Sequence, residues 1–588
     1  MNIVAAVLRA AAAALVLCAC GSAWAQDAAP AAATGRAEAG KDRPPVAARR
    51  FMVVAAHPLA VDAGYRVLGE GGTAVDAAIA VQLVLNLVEP QSSGIGGGAF
   101  MLVHDARRNK LIAYDGRETA PAAARPDRFL GPDGKPLDFF TAIVGGRSVG
   151  VPGTVALLAA AHERHGKLPW ARLFAPAIEL AQQGFPVSAR LSAAIARESN
   201  MPQARARDYF RDAEGRPLAP GAILTNPAFA ATLRTLAAGG SKAFYAGDIA
   251  RGIVDTVAGS PASPGDLTLA DLASYRVKVR DPLCGRYRGY RICGMPLPSS
   301  GGPTVLQMLG MLERYDVAAM GPATLWSIHF FSEAGRLAHA DRGVYMADPD
   351  FYTPPSGLVD RDYLAGRSQL IRTGSSLGRS PPGTPPDRTP GKRAAWGEQP
   401  APELPSTSHL SIVDRYGNAV AMTTTIEYAF GSRLMTPGGF LLNNELTDFS
   451  LVPTKDGKPV ANRVEGGKRP RSSMAPTIAY GPGGGVFMVT GSMGGPTIIN
   501  QVAKTLVAVI DWGLDPQAAV ALPNFGSRNG PTELERGTAA AALAAKLDAL
   551  GHDTVLTDSH GGAHVIVRTR NGWIGGADPR RDGIVRGN

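Results

Sequence analysis

No apolar run in this sequence is long and uninterrupted enough to cross a membrane. The run from Ala11 to Ala19 is short, and the stretch from Ala74 to Val88 is broken by polar residues such as Asp76 and Gln82. A spanning helix needs about 20 mostly apolar residues. The longer stretch is typical of a buried helix that ends before Pro90.

Aromatic residues are also few, at 6% of the chain, and they are not interleaved with the basic ones. The formal net charge is +10, but the Lys and Arg residues are scattered and form no basic stripe. This pattern argues against a nucleic-acid partner and favours a basic, solvated surface. With 45% hydrophobic and 19% charged residues, the composition is that of an ordinary globular protein.

Two motifs of cofactor chemistry are incomplete. The run Gly94-Ile-Gly-Gly-Gly is not followed by a Walker lysine, so it predicts close backbone packing and not a phosphate loop. His162 and His165 lie three apart on a predicted helix, but there is no His-Glu-x-x-His motif and no third ligand nearby. We therefore expect no metal and no other cofactor, and we interpret both histidines as surface residues.

The first residues form a leader. Arg9, a short apolar run and the small-x-small sequence Ala23-Trp24-Ala25 predict a signal peptide over residues 1–25 and a periplasmic or secreted protein. A Leu-Cys-Ala-Cys box would alternatively place a lipid anchor on Cys20, in which case the membrane is a partner. Residues 26–50 lack periodicity and are predicted to be a disordered mature N-terminus.

Removal of the leader leaves two cysteines, Cys284 and Cys293. Their midpoint falls between Arg288 and Gly289, where a two-residue hairpin turn would place them opposite each other. An oxidising compartment allows a cross-strand disulfide, but spacing alone does not show the required geometry. A disulfide and two buried thiols remain as alternatives.

The ordered fold is expected to begin near Phe51. From there to about residue 370, helical patterns such as 153–166, 171–183 and 325–342 alternate with short strands, without a detectable repeat. Residues 375–406 are rich in proline, which blocks helices and sheet ladders, so they are predicted to be exposed and extended.

The sequence after residue 406 predicts hairpins and helices. Apolar and polar residues alternate in pairs of short segments joined by turn residues: His409 to Asp414 with Ala419 to Thr425, 476–480 with 486–490, and 564–568 with 573–575. Helical patterns run from Ile498 to Trp512 and from Ala539 to Leu550. A layered sandwich of sheets and helices, of the α+β class, is the natural packing.

Thr407 follows the proline-rich segment and starts a predicted strand. Taken alone it is an ordinary strand residue, because threonine fits strands well. However, the 25 residues from Thr407 to Gly431, Thr-Ser-His-Leu-Ser-Ile-Val-Asp-Arg-Tyr-Gly-Asn-Ala-Val-Ala-Met-Thr-Thr-Thr-Ile-Glu-Tyr-Ala-Phe-Gly, resemble throughout the signature of the γ-glutamyltranspeptidases. These enzymes are N-terminal-nucleophile hydrolases that mature by cleaving one chain into two subunits.

The resemblance covers nearly everything from Phe51 to the C-terminus. It includes the motifs Glu89-Pro-Gln-Ser-Ser-Gly-Ile-Gly-Gly-Gly, Asp115-Gly-Arg-Glu-Thr-Ala-Pro, Pro298-Ser-Ser-Gly-Gly-Pro-Thr, Leu442-Asn-Asn-Glu-Leu-Thr-Asp-Phe, Lys468-Arg-Pro-Arg-Ser-Ser-Met-Ala-Pro-Thr, Thr490-Gly-Ser-Met-Gly-Gly and Asp578-Pro-Arg-Arg-Asp. It implies a four-layer αββα sandwich of the N-terminal-nucleophile hydrolase type. It also implies cleavage between Ser406 and Thr407 into a large subunit (51–406) and a small catalytic subunit (407–588) that form a heterodimer.

Cleavage at this bond has a chemical reason. A threonine hydroxyl is a weak nucleophile that needs a nearby base. An N-terminal threonine has its own α-amino group, whose pKa of about 7.7–8.0 suits a general base at neutral pH. Before cleavage, the same hydroxyl can attack the preceding carbonyl to give an ester that water hydrolyses.

The resemblance assigns roles to other residues. A γ-glutamyl substrate carries an α-carboxylate and an α-ammonium. Arg117 matches the family's carboxylate ligand, assisted by Ser472 and Ser473, and a guanidinium can bind a carboxylate through two parallel hydrogen bonds. The ammonium ligands correspond to Glu427, Glu445 and Asp448. Thr425 stands beside the nucleophile, and Gly494 and Gly495 match the glycine pair of the oxyanion site, which fixed N–H donors stabilise.

Two positions depart from the commonest pattern of the family. Glu427 replaces an Asn found in many relatives, and Glu445 replaces a Gln found in some. The lid between Phe449 and Ser472 contains no aromatic residue, which predicts a more open pocket. These differences lie in the part of the pocket that is expected to select the acyl donor.

The resemblance implies a γ-glutamyltransferase and glutathione hydrolase that acts on glutathione and related γ-glutamyl amides. Its acyl acceptors would be water, amino acids or dipeptides. One alternative is a cephalosporin (glutaryl) acylase of the same fold. Another is a non-catalytic exported binding protein, which the presence of both Thr407 and Arg117 disfavours.

Overall fold

The computed structural model describes residues 43–387, 395–399, 406–558 and 561–588. None of the helices within these ranges is long and apolar enough to span a bilayer. The predicted signal peptide and the alternative anchor at Cys20 lie outside the described residues and stay predictions.

Two seven-stranded antiparallel sheets form the centre of the fold. In spatial order, the strands of the first sheet are Ile584–Gly587, Met52–Ala55, Ser408–Val413, Ala419–Thr425, Gly98–Asp105, Lys110–Gly116 and Lys278–Arg280. Those of the second sheet are Val46–Ala48, Gly572–Ala577, His564–Thr569, Val486–Gly491, Thr477–Tyr480, Tyr290–Gly294 and Leu283–Tyr287. A small three-stranded sheet contains Phe525–Ser527, Thr532–Glu535 and Thr554–Thr557.

Helices cover the outer face of each sheet. The core of the first sheet includes residues from Pro58–Gly69, Ala74–Val88, Thr154–His165, Ala175–Gln183, Ala189–Arg197, Ala204–Tyr209, Pro227–Gly239, Lys242–Tyr245, Gly247–Ala258 and Leu269–Ser274. The core of the second includes residues from Gly301–Leu312, Val317–Met320, Leu325–Tyr345, Arg361–Ser368, Thr497–Ile510, Pro516–Ala521 and Ala544–Ala549. A short helix, Phe139–Ala142, belongs to two smaller apolar clusters.

The side chains of the first sheet alternate between two cores, because neighbouring residues of a strand point to opposite faces. Val53 and Met101 pack with the helices on one side. Val54 and Leu102 pack between the sheets, in the same core as Val489 of the second sheet. The layers therefore run helix, sheet, sheet, helix, and the predicted α+β αββα sandwich is confirmed.

Most of the predicted elements are confirmed with small changes at their ends. The buried helix Ala74–Val88 begins after Thr73, whose side chain forms a reciprocal capping pair with Asp76. The hairpin of Ser408–Val413 with Ala419–Thr425 has the expected antiparallel register. The long helix Leu325–Tyr345 continues three residues beyond its predicted end.

Two predicted helices are shorter than expected. The pattern at 171–183 divides into a 3₁₀ turn, Trp170–Phe174, and the helix Ala175–Gln183, because Pro176 lacks an N–H and fits only a first helical turn. The segment from Ala539 to Leu550 contains a helix only at Ala544–Ala549. Within that helix only Leu547 is buried, so packing does little to extend it.

The prediction that residues 26–50 are disordered is wrong for their last part. Val46–Ala48 forms an edge strand of the second sheet, with Val46 opposite Gly575 and Ala48 opposite Trp573. These three residues are all small and apolar, so they show no alternation of apolar and polar residues that would predict a strand. Their partner strand lies more than 500 residues further along the chain. The fold therefore begins before Phe51.

The prediction that residues 375–406 are exposed is correct for some of the described residues, among them Pro381, Pro382 and Thr384, and wrong for others. The Ser380 N–H donates to Asn529 Oδ1 at 2.8 Å, and the Gly383 N–H donates to Asp341 Oδ1 at 2.7 Å. Gln399 and Ser406 are buried. Proline excludes ladder hydrogen bonds, but the N–H groups between the prolines find side-chain acceptors on the folded body.

The two cysteines are joined. Strands Leu283–Tyr287 and Tyr290–Gly294 pair with Cys284 opposite Cys293, and a disulfide links them. Arg288 and Gly289 between them have φ of 49° and 84°, as the predicted two-residue turn requires.

The two histidines predicted at the surface are partly buried and hydrogen-bonded. His162 Nε2 lies 2.9 Å from the Leu168 carbonyl oxygen, and His165 Nε2 lies 3.0 Å from the Tyr114 hydroxyl. The helix that contains them packs on the first sheet, which explains the error.

Candidate active site

Thr407 lies directly before the strand Ser408–Val413 and is buried, with 2% of its surface exposed. The structure shows the uncleaved chain, and the Thr407 hydroxyl donates a hydrogen bond to the carbonyl oxygen of Ser406. The hydroxyl oxygen is therefore next to the carbonyl group that it would attack in self-cleavage.

Neighbouring polar groups fix the chain on both sides of this bond. The Ser406 hydroxyl donates to the Gln91 carbonyl oxygen at 2.9 Å. The Ser408 hydroxyl donates to Glu89 Oε2 at 2.9 Å and accepts from the Ser93 hydroxyl at 3.1 Å. The predicted packing role of the Gly-rich motif is thus accompanied by direct anchoring of the nucleophile, which the sequence did not reveal.

Thr425 ends the strand that pairs with the nucleophile strand. Ser408 stands opposite Thr424, so Thr425 lies beside Thr407. On the other side, Thr425 pairs with Gly98, and a Cβ atom at Gly97 would clash with the Thr425 carbonyl oxygen. This close approach is a physical reason for glycine in the Gly94–Gly98 run.

Arg117 follows the strand Lys110–Gly116 and is almost fully buried, at 1% exposure. Its Nε donates to the Pro470 carbonyl oxygen at 3.1 Å, and its Nη2 donates to the Arg471 carbonyl oxygen at 2.9 Å. The guanidinium also forms ion pairs with Glu445 and Asp448. Arg117 is predicted to bind the carboxylate of the substrate. In this structure its guanidinium is paired with carboxylates of the protein instead.

Four carboxyl groups surround this single guanidinium: Glu118, Glu427, Glu445 and Asp448. Burial raises the pKa of Glu427 and of Glu445 well above the ordinary value, although Arg117 opposes the shift. Burial also raises the pKa of Glu118, to about 7. Burial thus favours the protonated form of Glu118, Glu427 and Glu445.

The sequence analysis did not single out Glu118. It is completely buried and lies 4.0 Å from Arg117. The available signal was its position next to Arg117 in the Asp115-Gly-Arg-Glu motif.

The glycine pair lies between the strand Val486–Gly491 and the helix Thr497–Ile510. Gly494 and Gly495 have φ of 122° and 58°, which other residues adopt only with strain. The Thr497 hydroxyl donates to the Gly494 carbonyl oxygen at 2.7 Å, which fixes the turn. A turn at a helix N-terminus presents free N–H groups, as an oxyanion requires.

A cavity of about 30 Å³ lies at the centre of these groups. Its lining residues are Arg117, Ser406, Thr407, Thr425, Glu427, Glu445, Asp448, Ser472, Ser473, Met474, Gly495 and Ile498. All the predicted site residues are therefore brought together except Gly494, which adjoins the lining. Met474 and Ile498 are additional apolar contacts. The cavity holds about one water molecule, so the uncleaved chain leaves no room for a glutamyl group.

The described residues include one group with the side chains of a metal site, formed by His329, Glu333 and His552. Its atoms already have hydrogen-bond partners. Arg336 Nε donates to Glu333 Oε1 at 2.8 Å, and His552 Nδ1 lies 2.7 Å from the Thr532 hydroxyl. A guanidinium at this distance would repel a metal cation, so we interpret the group as a hydrogen-bond network.

Comparison with known proteins shows which family the chain resembles. Residues 60–587 match the family model described as Gamma-glutamyltranspeptidase. The chain is 37% identical over 545 residues to a glutathione hydrolase proenzyme of Bacillus subtilis, covering 91% of each chain. It is 36% identical over 551 residues to the glutathione hydrolase proenzyme of Escherichia coli, again covering 91% of each.

Among solved structures, a cephalosporin acylase from Bacillus halodurans has a similar fold. The TM-score is 0.79 at 28% sequence identity, and the match covers 93% of this chain and 97% of the acylase. The names of these relatives differ, since the first two are called glutathione hydrolases and the third is called a cephalosporin acylase.

Proposed function

The chain belongs to the gamma-glutamyltranspeptidase family, and we propose that it is an exported, self-processing γ-glutamyltransferase and glutathione hydrolase. The observation that carries this proposal is the position of the Thr407 hydroxyl. It touches the Ser406 carbonyl oxygen and lines the same cavity as Arg117 and the carboxyl cluster.

Maturation begins with Thr407. Its hydroxyl oxygen forms a bond to the Ser406 carbonyl carbon, the C–N bond of the peptide breaks, and the hydroxyl proton passes to the nitrogen. Water then hydrolyses the resulting ester. The products are a large subunit that ends at Ser406 and a small subunit, 407–588, that begins with a free α-amino group. Departure of the chain before Thr407 also enlarges the cavity.

Catalysis uses the new amino group as a general base. It accepts the proton of the Thr407 hydroxyl while the oxygen attacks the γ-carbonyl of the donor. Thr425 lies beside the nucleophile, and the N–H groups near Gly494 and Gly495 stabilise the oxyanion. The leaving amine takes the proton, and water or the amine of an amino acid or dipeptide then releases the γ-glutamyl group from Thr407. None of these steps needs a cofactor.

Recognition of the donor involves an exchange of partners at Arg117. The guanidinium binds the α-carboxylate, with hydroxyl donors from Ser472 and Ser473. The carboxylates of Glu445 and Asp448, which pair with Arg117 in the uncleaved chain, then bind the α-ammonium together with Glu427. Glutathione and other γ-glutamyl amides carry both charges at the required end.

A cephalosporin acylase-like activity is the second candidate. It is favoured by the similarity to the acylase structure. A glutaryl group has a carboxylate but no ammonium, so it gains less from the acidic cluster. A non-catalytic binding protein is disfavoured because Thr407 and Arg117 are both present and converge.

Purified protein tests the proposal. It should run as two fragments on a denaturing gel, the smaller with the N-terminal sequence Thr-Ser-His-Leu-Ser, and should hydrolyse γ-glutamyl-p-nitroanilide faster than a glutaryl anilide. A protein that remains one chain and is nevertheless fully active would contradict the proposal. Faster glutaryl turnover would favour the acylase.

A further inference from the structure

A second buried arginine, Arg342, binds the active-site serine Ser473 and is not among the residues that line the cavity. Arg342 lies in the last turn of the helix Leu325–Tyr345 and is 6% exposed. Its Nη2 donates to the Ser473 hydroxyl oxygen at 2.7 Å, and its Nε donates to the Ser300 hydroxyl oxygen at 2.8 Å. One guanidinium thus holds two hydroxyl groups.

The chemistry of these groups determines where the hydroxyl protons point. A guanidinium only donates hydrogen bonds, so both serine oxygens accept from Arg342 and their own protons are directed elsewhere. The Ser300 hydroxyl donates to the Ser472 carbonyl oxygen at 2.6 Å, and the Ser300 N–H donates to the same oxygen at 2.8 Å. Arg342 therefore orients Ser300, which holds the backbone of Ser472.

Ser473 lines the cavity that also contains the Arg117 side chain. Because its oxygen accepts from a cation, its O–H becomes a stronger donor to an acceptor on the cavity side. Arg471 connects the two arginines as well. Arg117 Nη2 donates to the Arg471 carbonyl oxygen, and Arg471 Nη1 donates to the Arg342 carbonyl oxygen at 3.0 Å.

We propose that Arg342 is a positioning residue for donor binding: it fixes Ser473 so that the hydroxyl donates to the substrate carboxylate held by Arg117. It also contributes a second positive charge behind that carboxylate. The inference rests on the proposed function, since it concerns the α-carboxylate of the donor. Arg342 does not touch the substrate or Thr407 in this account, so its contribution is to binding and not to the acyl-transfer step.

Steady-state kinetics with γ-glutamyl-p-nitroanilide test the proposal on Arg342→Gln and Arg342→Lys, with rates normalised to the processed fraction seen on a gel. We expect Arg342→Gln to raise KM about tenfold or more, as loss of a charged hydrogen bond predicts, while kcat changes less than about threefold. Arg342→Lys should recover part of the loss, because lysine keeps the charge but not the two-pronged geometry.

A double-mutant cycle with Ser473→Ala separates positioning from a general structural effect. If Arg342 acts through Ser473, Arg342→Gln should raise KM much less in the Ser473→Ala background than in the wild type. Arg336→Lys is a matched control, because Arg336 is a buried arginine of the same helix that binds Glu333 and Thr532. It should leave KM within about twofold of the wild type.

The inference would be overturned if KM were unchanged in Arg342→Gln. It would also be overturned if Arg342→Gln raised KM equally in the wild-type and Ser473→Ala backgrounds. In both cases the proposed function would stand. A wild-type enzyme that does not turn over the γ-glutamyl anilide would overturn the proposed function and this inference with it. The two failures are therefore distinguishable.

Discussion

The carboxyl group of Glu118 lies 4.0 Å from Nη1 of Arg117, yet neither of its oxygens accepts a hydrogen bond from a described N–H or O–H donor. Its carboxyl partner is Glu445, whose Oε2 also lacks a donor among the described residues. Two acceptors can satisfy each other only if one of them carries a proton. Burial raises the pKa of both carboxyl groups, which favours a proton on this pair beside the guanidinium.

Glu118→Gln should stabilise the protein at pH 8 relative to pH 5. Burial raises the pKa of Glu118 in the folded protein to about 7, above its ordinary value of 4.5. The folded protein thus binds more protons than the unfolded chain between these values, and stability falls as the pH rises through that window. An amide cannot ionise and can donate to Glu445, so the variant should gain on the order of 1–3 kcal/mol at pH 8.

Thermal unfolding at pH 5 and pH 8 measures this effect. The apparent Tm of the variant should exceed that of the wild type at pH 8, and the difference should shrink at pH 5. Glu70→Gln, a change at an exposed carboxylate, is the control. An equal difference at both pH values would show that Glu118 is ionised throughout.

The sequence was sufficient to predict the hairpins around Thr407, because the alternation of apolar and polar residues and the turn residues are local signals. It was also sufficient to predict that Arg117 and the acids of the 442–449 motif belong to one site. Their convergence was inferred from the family resemblance. The strand Val46–Ala48 was missed because its partner, Gly572–Ala577, is remote in sequence. Glu118 and Arg342 were missed because their importance depends on burial and on hydrogen-bond direction, which no local pattern encodes.

Thr407→Ala should remain a single chain and lose activity by roughly 10³-fold or more, since it lacks both the oxygen nucleophile and the route to a free amine. Thr407→Ser keeps a hydroxyl and should mature, at a different rate. A denaturing gel over time and N-terminal sequencing of the small fragment give the result. Normal cleavage of Thr407→Ala would place the processing nucleophile elsewhere.

Glu427→Asn and Glu445→Gln should weaken binding of γ-glutamyl donors more than binding of glutaryl donors. Both side chains line the cavity, and only the γ-glutamyl group presents an ammonium to them. Each change should raise KM for γ-glutamyl-p-nitroanilide by about fivefold to 50-fold, the range expected for one charge-assisted hydrogen bond. KM for a glutaryl anilide should fall or stay constant. Parallel changes for both donors would argue against ammonium binding by these acids.

Acid should destabilise the sandwich through the histidines buried between its sheets. His564 Nδ1 lies 2.9 Å from the His409 carbonyl oxygen, and burial lowers the pKa of His564 to about 4 and that of His409 well below 6.5. The unfolded chain then binds more protons below pH 6.5, so stability falls as the pH drops from about 6.5 towards 4.

His564→Asn should make the apparent Tm less dependent on pH between 7 and 5, because one of the two buried titrating groups is removed. The Asn side chain retains a donor for the His409 carbonyl oxygen, so the Tm at pH 7 should fall only modestly. His162→Asn changes a histidine of the helix Thr154–His165, outside the space between the sheets, and provides the comparison. An equal change in Tm between pH 7 and pH 5 in the wild type and in His564→Asn would contradict the prediction.

Loss of the disulfide should lower stability modestly and leave the active site intact. Cys284 and Cys293 are nine residues apart, so the bond closes a short loop and restricts the unfolded chain by only about 2–3 kcal/mol. Leu283–Tyr287 is an edge strand of the second sheet and Tyr290–Gly294 is its neighbour, whereas Thr407 adjoins the first sheet. We expect the double variant Cys284→Ser, Cys293→Ser to mature normally, with kcat and KM within about twofold of the wild type and a lower Tm. Denatured wild-type protein should show no free thiol from this pair before reduction, and two such thiols would contradict the bond.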